Sequence, residues 1–136
     1  MIRCILAYTE ALLWTTKQGL PLLASVSGVE LTAGDLKIVQ EEKGKFLKFR
    51  DNLKAVFQLI AKVHKAAFKM NYNQGFDALC QTYELRSRLM HPKKPSDIEV
   101  SESDIAGSQK GIKWLQQEFY NLIETCEQAI PHIGKR

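Results

Sequence analysis

Cysteine is scarce in this chain, and its three copies, Cys4, Cys80 and Cys126, lie far apart with no CxxC pair and an odd total. That excludes a disulfide framework and a thiolate zinc site, and it fits small buried thiols in a reducing compartment. Histidine is equally thin: His64, His91 and His132 are not spaced with cysteines or carboxylates as metal ligands would be, so no metal site and no cofactor are expected. There is no GxxxxGK[ST] loop, no GxGxxG, no HExxH and no GxSxG, which removes the common nucleotide, zinc-protease and serine-hydrolase signatures. No apolar run reaches the roughly 20 residues needed to span a bilayer, so no membrane partner is expected. The opening MIRCILAYTEALLW is interrupted by Glu10 and has no small-residue cleavage site, so it reads as a helix of the domain. Cytoplasmic residence follows as the default. That helix starts at the first residue without a lead-in, an expectation that the natural domain begins earlier.

What remains is ordinary globular material. The 136 residues are 45% hydrophobic and 25% charged, enough for one core and without a compositional break, so residues 1–136 are expected to be a single domain. The net charge of +4 is compatible with a polyanionic partner but does not require one.

Helical periodicity dominates. Ile2, Ile5, Leu6, Leu12, Leu13 and Trp14 suggest a first helix over 2–18, stopped by Gly19 and Pro21. Thr32 with Asp35 resembles a capped entry to a short helix through Glu42. Phe46, Phe49, Leu53, Val56, Phe57, Ile60, Val63 and Ala67 predict a long helix from Phe46 to Met70 with His64 inside it. Its lysines are most simply a solvated face. After the break at Asn71–Gly75, the residues Phe76, Leu79, Cys80, Tyr83 and Met90 mark a helix that ends near His91, because Pro92 pushes its predecessor out of the α region. Ser101 with Asp104 looks like a capping box opening a last helix. Its face is Ile105, Ile112, Leu115, Phe119, Leu122, Ile123, Cys126 and Ile130, and Pro131 stops it. Trp14 and Trp114 fall on amphipathic helices and are read as packing residues. With no period-two strand and no repeat, the fold class is all-α, a four-to-five-helix bundle.

One stretch carries possible chemistry: Tyr83–Pro95, YELRSRLMHPKKP. Read as structure, Glu84 and Arg88 form an i,i+4 pair, and the basic residues complement the helix C-terminus. Read as a site, Arg86 offers a planar fork to phosphate, and His91 can take or give a proton at the ribose 2′-OH or the leaving oxygen. Five residues of ideal helix turn about 500°, which leaves these two about 140° apart. They converge only if the helix loosens before Pro92 or if a second chain supplies part of the site.

The spacing of Arg86, the polar Ser87 and His91 resembles the signature of the HEPN superfamily, an arginine followed four to six residues later by a histidine. The extended RSRLMHPK, with a capped helix bearing Trp114 after it, is also similar to bacterial HEPN-like proteins. The resemblance implies a HEPN-like helical bundle acting as a homodimer, with two motifs facing across a basic cleft. It implies a metal-independent ribonuclease acting on RNA, often a toxin restrained by an antitoxin or an effector of phage defence. Arg86 would orient phosphate, His91 act as acid–base and Ser87 donate a hydrogen bond. Arg88, Lys93 and Lys94 would contact or steer the RNA. The alternative from the same family is an inactive helical module that binds a partner.

Overall fold

The computed structural model describes residues 2–40 and 48–130. Five α-helices account for most of them: α1 (Ile2–Ser27), α2 (Ala33–Gln40), α3 (Phe49–Val63), α4 (Gln74–Met90) and α5 (Glu102–Ala129), with a 3-10 turn at Pro95–Ile98. Among the described residues there is no strand, so the fold is all-α. No helix among them is long and apolar enough to cross a membrane. The described residues group into two compact units: 2–11 with 71–118, and 12–40 and 48–70 with 119–130.

In the first unit, α4 and the 102–118 part of α5 run against each other along a seam of small residues. A Cβ on Gly75 would lie 2.5 Å from the Trp114 side chain, and one on Gly111 would lie 2.7 Å from the Leu79 backbone. Between buried Thr82 and Ser108, the threonine hydroxyl lies 3.4 Å from the serine oxygen, while each also bonds the carbonyl four residues back. Glycine and hydroxyl side chains let the helix backbones approach closely, and the buried polar atoms are satisfied locally. Trp114 Nε1 donates to the Asn71 carbonyl (2.9 Å), and buried Glu118 accepts the Asn71 N–H (3.1 Å), so two α5 side chains anchor the chain entering α4. Asn73 then caps α4 by accepting the Gly75 N–H. Ile2, Leu6 and Leu85 form a second cluster, flanked by Tyr83 and Leu89.

In the second unit, Leu20, Ala24, Val39, Leu59 and Val63 pack together, and Phe57 sits with its ring 6.2 Å from Phe68 and 6.1 Å from Phe119. The Thr32–Asp35 cap forms in both directions, with Asp35 accepting the Thr32 N–H (2.9 Å) and Thr32 Oγ1 accepting the Asp35 N–H (3.2 Å). The Asp35 carboxylate also pairs with Lys62 of α3.

Several boundaries differ from the sequence expectation. The first helix does not stop at Gly19 and Pro21 but runs through both to Ser27. A proline inside a helix costs about 3 kcal/mol; burial of Leu20 and Ala24 on either side offsets it. The stop falls instead at Gly28, whose φ of +69° lets the Val29 N–H bond the Ala24 carbonyl at 2.9 Å. The long helix ends at Val63, not Met70. Lys65 takes the left-handed conformation (φ 54°), and the N–H groups of Lys65 and Ala66 return to the carbonyls of Lys62 and Ala61. Beyond it the chain buries Phe68 and Met70 in alternation with exposed Ala67 and Lys69, so apolar residues that extend the helical pattern in sequence are buried at a period of two. His64 is thus the residue capping α3, and its Nδ1–H donates to the Ile60 carbonyl at 2.8 Å. The expected helix start at Phe46, the α2 end at Glu42 and the stop at Pro131 lie outside the described residues.

Candidate functional site

The Arg86–His91 stretch closes α4 in the first unit. Helix geometry holds through Met90, and His91 leaves it with φ −131° and ψ 59° while its N–H still bonds the Ser87 carbonyl (3.0 Å). The cause is Pro92, whose ring excludes the α conformation from the preceding residue. The loosening that a shared Arg86–His91 site requires therefore falls at His91 itself. Its imidazole is exposed. No hydrogen bond or ion pair joins it to Arg86 among the described residues.

Arg86 is half-buried and has two partners. Nη1 pairs with the Glu10 carboxylate of α1, and the guanidinium carbon stands 5.8 Å from the centre of the Tyr83 ring. This fixes one edge of the fork. A guanidinium has five N–H donors, so an ion pair through one nitrogen leaves others able to meet a phosphate. Ser87 is exposed, and its hydroxyl donates back to the Tyr83 carbonyl at 3.4 Å.

The basic residues expected to contact RNA are arranged differently. Arg88 lies two residues from Arg86, about 200° around the helix. Its Nη2 donates to the Glu99 carbonyl (3.1 Å) and approaches the Asp104 carboxylate (3.5 Å). Arg88 thus ties the end of α4 to the loop and to the α5 cap. The side chains of Lys93 and Lys94 are exposed, and their backbone N–H groups donate to Asp97 at 2.8 and 3.1 Å, which shapes the turn at Pro95–Ile98.

Arg88 and Lys94 share the wall of a polar cavity of about 720 Å³ with Glu84, Asp97, Glu99 and Asp104; Arg86, Ser87, His91 and Lys93 do not line it. Four carboxylates face two cations there. The backbone N–H of Lys93 holds the Asp97 carboxyl below its usual range, and the backbone N–H of Ser101 does the same for Asp104. The structure therefore divides the predicted residues into an Arg86–Glu10–Tyr83 cluster, a separate Arg88-lined acidic cavity, and an exposed His91 at the helix end. Glu10 was invisible as a partner in the sequence because it lies 76 residues away.

Among the described residues no group of three His, Cys, Asp or Glu side chains is placed to hold a metal ion. The thiols differ from the expectation of uniform burial. Cys4 is exposed, Cys80 is half-buried and only Cys126 is buried, where desolvation pushes its thiol pKa up. Trp114 packs as expected, whereas Trp14 is 59% exposed. Comparisons with family models, curated proteins and solved structures give no match to this chain.

Proposed function

We propose that this chain is a cytoplasmic, metal-independent endoribonuclease of HEPN type. It would act as a homodimer on RNA, in the manner of a toxin or phage-defence effector opposed by an antitoxin or operon partner. The observation that supports this reading is the placement of His91. It stands exposed and out of helical geometry one turn beyond an arginine whose guanidinium is held by Glu10 and Tyr83. In the reaction, His91 takes the proton of the ribose 2′-OH. The oxygen attacks phosphorus, the bond from phosphorus to the 5′-oxygen breaks, and a proton from solvent or from the second copy's histidine restores the leaving hydroxyl. Arg86 neutralises the charge that builds on the phosphoryl oxygens. Lys93 would steer the backbone, and Lys94 less so, since it lines the carboxylate-rich cavity. In this reading Arg88 and Ser87 have smaller parts, since the first is tied to Glu99 and Asp104 and the second to its own helix.

A second reading, an inactive helical module that binds a protein partner, is favoured by one specific observation: both arginines of the stretch already face carboxylates. Purified wild type and His91→Ala, each with excess chelator, separate the two. Wild type that cuts RNA beside an inert His91→Ala supports the ribonuclease. Equal cutting by both, or none by either, leaves the binding module.

A further inference from the structure

Carboxylates that shape this fold grip its backbone. Asp35 accepts the Thr32 N–H, Asp97 those of Lys93 and Lys94, Asp104 that of Ser101, and Glu118 that of Asn71. Glu10 does nothing of the kind. It lies well inside α1, and the residues three and four away from it, Leu6, Ala7, Leu13 and Trp14, carry no charge. Among the described residues it pairs with Arg86 alone. Arg86 is placed alike on α4: Thr82, Tyr83, Leu89 and Met90 offer it no counter-charge, and Glu10 supplies one from the other helix.

The pair is built to exchange rather than to hold. Water reaches both members, with side chains 38% exposed at Glu10 and 27% at Arg86, so the contact adds little to stability. The helix beneath does not depend on it. Ile2 and Leu6 pack on Leu85, and Thr9 is buried, so α1 stays seated on α4 while the Glu10 side chain turns about its own bonds. Arg88 is the contrast, tied at once to the Glu99 carbonyl and to Asp104. The other neighbour of Arg86 is the Tyr83 ring, 5.8 Å from the guanidinium carbon, and a ring centre accepts none of the in-plane N–H donors as a carboxylate does.

A carboxylate and a phosphoryl group take the same guanidinium fork. The donors that Glu10 leaves open let a phosphoryl group arrive first, and two anions on one guanidinium then repel each other. We infer that Glu10 is an internal stand-in for the ligand's phosphate, which occupies Arg86 in the free chain and leaves when a phosphoryl group binds. A tethered carboxylate competes at a high and constant effective concentration. A lone phosphate, with no other contact to this chain, therefore fills the site poorly. A phosphodiester chain still displaces Glu10, because its neighbouring phosphates meet further cations such as the exposed Lys93. The site thus stays shut to inorganic phosphate and single nucleotides and opens to a polymer. The polymer is taken from the ribonuclease reading; the exchange of Glu10 for phosphate requires no cleavage.

Titration of the full chain with inorganic phosphate at constant ionic strength tests it, read by NMR at the Arg86 Nε–H, whose resonance is the one missing from Arg86→Ala. Glu10→Gln keeps the shape of the side chain and removes its charge. It should bind phosphate at Arg86 about two- to fivefold more tightly than wild type, the gain expected from removing a partly exposed ionic competitor. If circular dichroism shows that Glu10→Gln has lost helicity, Glu10→Ala replaces it under the same expectation. Binding that is unchanged or weaker in the folded variant overturns the inference, since Glu10 would then only position the arginine. Phosphate that shifts Arg86 in neither protein overturns it as well. RNA cleavage measured in parallel keeps the two readings apart. Tighter phosphate binding without cutting removes the ribonuclease and leaves the exchange, while cutting without tighter binding does the reverse.

Discussion

Single side chains in this protein are decided by how closely two helices approach. Gly111 meets the Leu79 backbone at a distance no Cβ can occupy, whereas a Cβ on Gly107, one turn earlier on α5, would meet nothing within 4 Å. The two glycines should therefore answer the same substitution with opposite signs. Gly107→Ala removes the helix penalty of glycine and should raise stability by up to ~1 kcal/mol. Gly111→Ala forces α4 and α5 apart and should lower it by about 1–3 kcal/mol. Parallel urea denaturation of the two variants checks this, and equal shifts would mean the helices are not in close contact at Leu79. Gly111 was not legible as a packing residue in the sequence, because an apolar stripe is counted from large side chains. Buried Thr82, Ser108 and Glu118 escape the pattern for the same reason, and the α5 face that periodicity predicts includes Ile105, Ile123 and Ile130, which are exposed. The three cap carboxylates were easier to read where a Ser/Thr–Asp spacing announced them, as at Thr32–Asp35 and Ser101–Asp104.

Those carboxylates also set an acid limit. Asp35 is held below its ordinary value first by Lys62, Asp97 first by the Lys93 N–H, and Asp104 first by the Ser101 N–H. A depressed folded pKa gives stability that is present above the unfolded value, 3.8, and is lost as pH falls through the lower folded one. Thermal melts should therefore change little through these groups between neutrality and pH 5, then drop below about pH 4. Asp35→Asn should blunt that drop, and an unaltered acid limb in the variant would show that Asp35 has no part in it.

At the scale of elements, the helices were legible and their ends were less so. Stripes of Leu6, Leu13, Leu53, Val56, Phe57, Phe76 and Leu79 are buried where periodicity put them. The misplaced ends have a common cause: Pro21 and Gly19 are local signals overridden by burial on both sides, and Lys65 is a left-handed stop that no glycine announces. Pro21 is exposed and within the helix, so Pro21→Ala restores a donor and removes a ring clash. Stability should rise, by as much as ~3 kcal/mol if the helix now bends around the ring. A fall in melting temperature would show instead that the proline shape is needed. Phe57 is fully buried and Phe119 half-buried, so Phe57→Ala should cost ~3–5 kcal/mol and Phe119→Ala less.

For the whole molecule, fold class followed from helical periodicity alone, while the proposed function rests on residues whose geometry the sequence could not supply. Spacing placed Arg86 and His91 near one helix end. It could not reveal that Glu10 and Tyr83 hold the arginine, or that Arg88 turns toward a cavity rich in carboxylates. That geometry makes the decisive experiment interpretable. The Arg86–Glu10 pair is partly exposed, so breaking it should cost only ~0.2–1 kcal/mol of stability, and Arg86→Ala and Glu10→Ala should both stay folded. Any loss of cutting in Arg86→Ala then reports on chemistry. If the 2′-OH is the nucleophile, single-stranded RNA is cut while DNA of the same sequence survives, and the products carry a 2′,3′-cyclic phosphate and a 5′-hydroxyl. Excess chelator leaves the rate unchanged. Arg86→Lys recovers little, because an ammonium cannot reproduce the planar fork. Cleavage of the matched DNA, a requirement for Mg²⁺, or full activity in Arg86→Lys would each remove the arginine–histidine mechanism, and α4 would then end in nothing more than a basic turn.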